Sequence, residues 1–357
     1  MNTKKSVAVI FGGKSVEHKI SINSAKNVAE FLDKSAFETI FIYISTEGKW
    51  YLTHQVNGEF DESDELLLIL DPSRKGFFHI KDGKSILPDI VFPVLHGTDG
   101  EDGSIQGMLE AVNLPFVGTG VLGSSVSMNK LYSKRLLDAA NIPVSKYISY
   151  NYNEEHLISY REITDLLQLP FMAKAANLGS SVGVHKVSSE EKFKQALEDI
   201  FKFDKTVIFE EFVEGRELEC AVMGNDDPQA TFPGEIVVSS DYEFYTYDAK
   251  YLDPEAAKLQ IPAEVSEEIA KKIQKLSVQS YKALACEDFA RVDLFLKENG
   301  DIIINEINTI PGFTNSSMFP MMWKERGLEF TPLLTKLIEL ALAKHEASQR
   351  LSNNFNP

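Results

Sequence analysis

The segment Ala290–Asn308, ARVDLFLKENGDIIINEIN, reads as two runs of strand-forming residues joined at Asn299-Gly300. Asn-Gly between such runs is the strongest short-range signal for a two-residue type I′ hairpin turn. With Glu298 and Asp301 flanking that turn, Asp293 stands directly opposite Glu306, and Arg291 opposite Asn308. Side chains alternate faces along a strand, so these four residues share one face. Phe295, Ile302 and Ile304 are expected on that face too, with Lys297 near the turn. The other face then carries Val292, Leu294, Leu296, Ile303 and Ile307, with Asn305 as its polar break. Two carboxylates whose Cβ atoms are about 4.5–5.5 Å apart repel each other. Keeping such a pair on an apolar hairpin calls for a cation between them. A divalent metal with oxygen ligands is the natural candidate, and Asn308 would add a neutral oxygen. The competing reading is a solvated edge hairpin with ordinary surface charges. Against it, Asp293 and Glu306 are the only acids on their face within the strands, and both have hydrophobic neighbours.

A chain of 357 residues is long for one core, so two or three domains are expected. Hydrophobic content of 43% is that of a soluble globular protein. No apolar run approaches the ~18–20 residues of a membrane helix. The opening MNTKKSVAVIFGG runs into Gly12-Gly13 and charges, which reads as a first strand and not a signal peptide. A net charge of −17 argues against general nucleic-acid binding, so an anionic substrate must be held by locally placed Lys and Arg. Cys220 and Cys286 have neither metal-ligand spacing nor a disulfide framework, which points to buried thiols in the reducing cytoplasm.

Strand and helix patterns alternate through the first part: strands at Ser6–Phe11, Thr39–Ile44 and Ile90–Leu95, helices at Ser24–Leu32 and Ser104–Val112. This rhythm predicts an α/β fold with an open, mostly parallel sheet to about residue 120. One long helix is expected over Ser124–Ala140. A smaller α/β unit follows, with a strand at Phe171–Ala176, the Gly/Ser loop Gly179–Gly183, and a helix opened by the capping box Ser188/Glu191. Further strands are expected at Thr206–Phe212, Glu217–Met223 and Glu235–Val238, then a polar, Tyr-rich loop to about Gln260. Helices at Glu264–Ala283 and Thr331–Ala343 bracket the hairpin, and Glu346–Pro357 is polar enough to be disordered.

Neither a GxxxxGK[ST] nor a GxGxxG loop is present. Cations and glycines are distributed instead. Lys174 precedes GSSVG at Gly179–Gly183, whose amides and hydroxyls could cradle phosphates, although Gly/Ser clusters are commonly ordinary turns. Lys130 and Lys134 share a helix face, for which solvent is the default. Lys250 sits in the aromatic-rich FYTYDAKY, and Glu210 and Glu217 bracket the Phe212–Gly215 bend. Taken singly, Glu17 reads equally as a surface acid after a glycine turn, and His96 as a capping or core histidine.

Together these pieces resemble the D-alanine–D-alanine ligases of the ATP-grasp superfamily. The matching blocks, in order, are VIFGGKSVEHKIS (Val9–Ser21), LHGTDGEDGSIQG (Leu95–Gly107), SMNKLYSK (Ser127–Lys134), KAANLGSSVGV (Lys174–Val184), EEFVEGRELE (Glu210–Glu219), FYTYDAKY (Phe244–Tyr251), ARVD (Ala290–Asp293) and NEINTIPGFTNSSM (Asn305–Met318). Eight blocks in order are far more specific than any one. The resemblance implies three α/β domains, 1–121, 122–213 and 214–345, with ATP clasped between the sheets of the last two. It implies ATP-dependent joining of two D-alanines through an acyl phosphate, in a cytoplasmic homodimer serving peptidoglycan synthesis.

Roles follow from the resemblance. Asp293, Glu306 and Asn308 would hold two Mg²⁺ ions, with Mn²⁺ as an alternative. Lys130, Lys174, Ser181 and Lys250 would contact the nucleotide, with Glu210, Phe212, Val213 and Glu217 lining the adenosine pocket. Arg291 and the amide of Gly312 would stabilise an oxyanion. Glu17 would pair with the first ammonium near His96, and Ser317 and Met318 would take the second carboxylate. Glu17, Ser180 and Tyr251 would hold a closed loop that excludes water. Ala175 departs from the family's usual proline without loss of a chemical group, and the loop between Gly224 and Phe232 has no assigned role. Tyr251, where D-lactate-using relatives carry Phe, favours an amine as second substrate. Another ATP-grasp carboxylate–amine ligase, or a nucleotide-binding pseudoenzyme, are the competing functional readings; Glu17, His96 and Tyr251 argue against the first and the retained hairpin residues against the second.

Overall fold

The computed structural model describes residues 4–179, 183–238 and 257–351. Successive parts of the chain build three sheets. The first contains β1 (Lys5–Gly12), β2 (Phe37–Ile44), β3 (Trp50–Thr53), β4 (Glu65–Leu68), β5 (Phe77–His79), β6 (Lys84–Ile86) and β7 (Ile90–Val94), in the order β6-β5-β4-β3-β2-β1-β7. Strand β1 is apolar at consecutive positions because both of its faces are covered. Val7, Val9 and Phe11 pack with Ala25 and Val28 of the helix His18–Phe31, while Ala8 and Ile10 pack with Ile105 and Leu109 of the helix Ser104–Ala111. The expectation of a mostly parallel sheet is corrected. Only β1 pairs in parallel, with β2 and β7, and β2 to β6 form an antiparallel meander. The strands of that meander beyond β2 span at most four residues each, too short for a period-two pattern to emerge.

The helix expected over Ser124–Ala140 is two, Val121–Met128 and Lys130–Ala139. Asn129 breaks it: its backbone is extended, and its side chain accepts from the Tyr132 amide to cap the second helix. The second sheet holds β8 (Tyr147–Asn151), β9 (Phe171–Ala175), β10 (Val184–Val187) and β11 (Thr206–Glu211), ordered β10-β9-β11-β8. Phe171, Phe193 and Phe209 centre a core of its own against the helices Tyr160–Leu167 and Glu190–Ile200. The latter helix is capped one residue later than expected, by Ser189 accepting from the Lys192 amide.

The third sheet holds β12 (Arg216–Met223), β13 (Gln229–Ala230), β14 (Gly234–Val238), β15 (Ala257–Gln260), β16 (Phe289–Leu296) and β17 (Ile302–Asn308), ordered β15-β14-β12-β16-β17 with β13 beside β12. β15 occupies the end of the segment expected to be loop. The β16–β17 hairpin differs from the expected form near its tip. Lys297 pairs with Asp301 through an amide-to-carbonyl bond of 2.9 Å, leaving Glu298, Asn299 and Gly300 as a three-residue loop. Gly300 takes φ +84°, the left-handed position such loops require. Pairing near the tip is therefore shifted by one residue, Leu294 facing Ile304 and Leu296 facing Ile302. A bulge after Asp293 absorbs Asn305 and restores Asp293 opposite Glu306 and Arg291 opposite Asn308. Ile302 and Ile304 consequently join Val292, Leu294 and Leu296 in the core under the helix Glu267–Ala283, the reverse of the expected face, while Asn305 turns to the site side.

One core unites the first and third parts of the chain. Val7, Val9 and Phe92 share it with Phe289, Phe313 and residues Leu333, Leu337 and Ile338 of the helix Phe330–Gln349. That helix runs through residues 346–349, so the first part of the tail expected to be disordered is helical, and 352–357 lie outside the described residues. A buried clamp secures the junction. Asp288, wholly buried, accepts from the Gly118 amide at 2.8 Å, from Lys344 Nζ at 2.8 Å and from Asn225 Nδ2 at 3.0 Å. Removing one partner of a buried charge pair leaves the other uncompensated. Lys344→Ala is expected to cost about 3 kcal/mol and to lower the melting temperature by at least about 5 °C. A thermal scan showing no shift would contradict the clamp.

Candidate active site

The three units meet around a cavity of about 390 Å³, lined from the first by Glu17, Ser24, His96 and Glu101, from the linking helices by Ser127 and Lys130, and from the second by Gly179. The third unit contributes Glu219, Arg291, Glu306, Asn308, Gly312, Ser317 and Met318. The fold brings these residues together from the ends of strands and the starts of helices. Glu17 precedes the helix His18–Phe31 and is buried. A Cβ on Gly97 would lie 2.5 Å from Glu17 Oε2, and the φ of +76° at Gly97 also demands glycine. A Cβ on Gly179 would lie 3.4 Å from the same oxygen, so the loop of the second unit reaches this acid.

His96 follows β7. Its Nδ1 donates to the carbonyl of Ile310 at 2.9 Å, and Nε2 shares a 2.9 Å hydrogen bond with Ser24 Oγ. Burial opposes charge on the ring, but the carboxylates of Glu101 and Glu17 outweigh it and raise its pKa. Burial raises the pKa of Glu101 in turn. Glu101 Oε2 accepts from the Gly97 amide at 3.1 Å, tying this acid to the glycine turn beside Glu17.

On the hairpin, Arg291 grips Asp293 through two hydrogen bonds of 2.7 Å, Nε to Oδ1 and Nη2 to Oδ2. Its Nε also lies 3.0 Å from Glu219 Oε2. Burial opposes the guanidinium charge, but Asp293 and Glu219 hold its pKa well above the usual value. Glu219 sits opposite Asp293 in the β12–β16 ladder, so Glu219, Asp293 and Glu306 form a row of carboxylates across three strands. Glu219 has no role assigned from sequence; its signal is the alternation that places it on the same face of β12 as Glu217. Lys130 Nζ approaches Glu306 Oε2 at 3.3 Å and donates to the Leu178 carbonyl at 2.7 Å.

Among the described residues no three His, Cys, Asp or Glu side chains gather as a metal cage. The oxygen donors of the hairpin are nonetheless of one kind: Glu306 and Asn308 line the cavity, and Asp293, which is held by Arg291, is not among its lining residues. Asp293 and Glu306 oppose each other and Asn308 follows on the same side, an all-oxygen set suited to a hard divalent cation that takes its remaining oxygens from phosphates. Asn308 Oδ1 accepts from the Ile310 amide at 3.1 Å, which fixes its orientation. These residues fit such an ion.

Beside the cavity lies a second, buried network. One oxygen of Glu210, Oε2, is 3.0 Å from Lys174 Nζ, 3.2 Å from Lys134 Nζ and 3.1 Å from Ser145 Oγ, which donates to it. Lys174 also donates to Asn305 Oδ1 at 3.4 Å, linking the network to the hairpin bulge. Lys134, for which a solvated helix face was the default, is only 1% exposed. Phe212 carries Lys186 Nζ over its ring at 4.5 Å, and Val213 is buried. Glu217 sits on β12 opposite Phe295. Ser317 stands at the N-terminal boundary of the helix Met318–Glu325 without a side-chain capping bond; its Oγ accepts from the Thr314 amide at 3.0 Å, and a Cβ on Gly312 would lie 2.9 Å from the same oxygen. Ser180, Ser181, Lys250 and Tyr251 lie outside the described residues.

Residues 6–119 match the family model of the D-Ala–D-Ala ligase N-terminus and residues 136–339 that of the C-terminus. The chain belongs to the D-alanine–D-alanine ligase family. It is 45% identical over 363 residues to the D-alanine–D-alanine ligase of Shouchella clausii, covering 98% of each chain. It is also 45% identical over 364 residues to D-alanine–D-alanine ligase A of Escherichia coli K12, covering 99% of this chain and all of that one. Among solved structures, the D-alanine–D-alanine ligase of Coxiella burnetii superposes with a TM-score of 0.87 at 36% identity, over 97% of this chain and 96% of that one. The VanG D-Ala:D-Ser ligase of Enterococcus faecalis does so with a TM-score of 0.87 at 38% identity, over 95% and 100%. The three-sheet α/β architecture is thus that of the ATP-grasp ligases.

The Glu210 network has a pH signature. Burial pushes the carboxyl up, but Lys134 and Lys174 bring it down to about 2 from 4.5. A carboxylate with a depressed folded-state pKa stabilises the fold fully above its unfolded value and loses that contribution as pH falls through the folded one. The stability advantage of wild type over Glu210→Gln is therefore expected at neutral pH and should shrink as pH falls from 4.5 toward 2. Melting temperatures of both proteins across that window check this; a gap independent of pH would contradict it.

Proposed function

We propose that this chain joins two molecules of D-alanine into D-alanyl-D-alanine, using ATP and passing through an acyl phosphate, to supply peptidoglycan precursor synthesis. The observation that carries the reading is the convergence of Glu17 and His96, Lys130, Arg291, Glu306 and Ser317 on one cavity, within a chain of this family. We divide the chain into 1–121, which holds the first substrate, 122–213, the central nucleotide-binding unit, and 214–345, which carries the hairpin.

In this reading Glu17 binds the ammonium of the first D-alanine, with His96 beside it. The carboxylate of that D-alanine attacks the γ-phosphorus of ATP, the bond to ADP breaks, and an acyl phosphate results. The amine of the second D-alanine attacks the acyl carbon, and the tetrahedral adduct collapses with loss of phosphate. Arg291 and the Gly312 amide stabilise the oxyanion of that adduct, and Arg291 is held in place for this by Asp293 and Glu219. Ser317 and Met318, at a helix start, receive the second carboxylate. Lys130 and Lys174, with Ser181 and Lys250, engage the nucleotide, and Glu210, Phe212, Val213 and Glu217 line its adenosine pocket. Glu17, Ser180 and Tyr251 hold the loop that shuts water out of the site. Asp293, Glu306 and Asn308 would hold two Mg²⁺ ions, or Mn²⁺, which supply charge neutralisation for the phosphates when bound.

Of the described helices none is long and apolar enough to cross a membrane, and Cys220 and Cys286 are buried free thiols. A cytoplasmic homodimer paired through its first unit, without nucleic-acid or membrane partners, is the form we infer.

Purified protein with Mg-ATP and D-alanine is expected to release phosphate and yield the dipeptide. Use of L-alanine, D-serine or D-lactate with D-alanine inert would overturn the substrate assignment. Glu306→Gln keeps the shape of the side chain but removes its charge, so turnover is expected to fall at least about 100-fold. Near-normal phosphate release by that variant would refute the ligand role.

A further inference from the structure

The two oxygens of Glu210 are treated unequally by the fold. Oε2 takes three partners, Lys134 and Lys174 at 3.2 and 3.0 Å and the hydroxyl of Ser145 at 3.1 Å. Oε1 is buried and has no hydrogen-bond partner among the described residues. A buried acceptor left bare is costly, and it awaits a donor. Lys134 is a second anomaly. It is a lysine 1% exposed on an otherwise ordinary helix, and among the described residues its ammonium meets this carboxylate and Ser145 Oγ, to which it donates at 2.9 Å. Burial pulls its pKa below the usual lysine value. Lys174 differs, because it also reaches Asn305 on the hairpin and is assigned above to the nucleotide.

We propose that Lys134, acting with Ser145, is the positioning residue that makes the nucleotide site discriminate 6-amino from 6-oxo purine triphosphates. Together with Lys174 the two groups fill Oε2, fix the carboxylate plane and so leave the buried Oε1 as an obligate acceptor. An exocyclic 6-amino group donates to that oxygen. A 6-oxo group presents a lone pair to an anion and leaves both acceptors buried and unpaired. A site built to receive one hydrogen-bonding group rejects the analogue that lacks it much more strongly than an apolar pocket rejects a change of size. Without Lys134 the carboxylate can rotate between its two oxygens, and the distinction weakens.

This inference rests on the adenosine pocket proposed above, and the test separates the two. Initial rates with D-alanine saturating are measured with ATP and with inosine triphosphate, which carries a 6-oxo group and an N1–H in place of the 6-amino group and bare N1, for wild type, Lys134→Met, Lys134→Arg, Ser145→Ala and Glu210→Gln. Wild type is expected to prefer ATP strongly in kcat/KM. Lys134→Met is expected to reduce that preference at least about tenfold, through a raised KM for ATP, with kcat and the KM for D-alanine little changed. Lys134→Arg, which restores the charge, should recover part of the preference, and Ser145→Ala should lower it in the same direction. Should Lys134→Met not fold, Ser145→Ala alone decides, since it breaks the same support at little volume change. If Glu210→Gln abolishes the preference while Lys134→Met (or, in its absence, Ser145→Ala) keeps it within about twofold of wild type, the inference is wrong and the pocket assignment survives. A loss of kcat with both nucleotides at an unchanged ratio would make Lys134 merely structural and overturns the inference. If Glu210→Gln also leaves the ratio untouched, the pocket assignment itself fails, and this inference with it.

Discussion

A row of carboxylates, Glu219, Asp293 and Glu306, crosses the adjacent strands β12, β16 and β17 on one face. Like charges placed side by side on a sheet repel, so the row persists only if cations are held against it. Arg291 and Lys130 supply part of that charge, and their placement dictates much else. Arg291 must come from the same strand as Asp293, two residues away. Lys130 must come from the start of the helix that Asn129 caps, which accords with the break between the two linking helices. The break is fixed from the second unit too, since the Lys130 amide donates to the Ala176 carbonyl at 2.8 Å.

The packing divides the labour of holding this row. The first and third sheets share a hydrophobic core and the Asp288–Lys344 clamp, so Glu17, His96, Arg291 and Ser317 belong to one mechanical body. The second sheet has its own core. Polar links join it to the rest: Lys174 to Asn305, Leu178 to Lys130, and Asn177 to Asn129. Polar links of this kind can be remade around a ligand, whereas a shared apolar core cannot without loss of buried area.

Much of the site was legible in the hairpin because two strands with an Asn-Gly between them leave little freedom. The opposition of Asp293 and Glu306 emerged even though two details differ, the three-residue loop and the bulge at Asn305. Each displaces the register by one residue, and they cancel where the acids lie. Their trace is the exchange of faces by Ile302 and Ile304, whose apolar side chains fit either face in sequence but whose burial decides for the core. What stayed illegible depends on tertiary context. Nothing local separates Lys134 from a solvated lysine at helical spacing from Lys130; only the approach of Glu210 and Ser145 from β11 and the segment before β8 makes it a buried charge. The short antiparallel strands β3 to β6 lack the length to show a pattern. Glu219 escaped notice because its partner in the row lies some seventy positions away in the chain, a relation that only strand pairing creates.

The central claim is that the opposed acids of the hairpin hold divalent cations on the phosphates of a nucleotide. Crystals grown with Mn²⁺ and ADP test it most directly, through anomalous scattering at the manganese edge. The account predicts peaks at about 2.1 Å from oxygens of Asp293, Glu306 and Asn308 and from the ADP phosphates. Nucleotide bound with manganese absent from those side chains would contradict it.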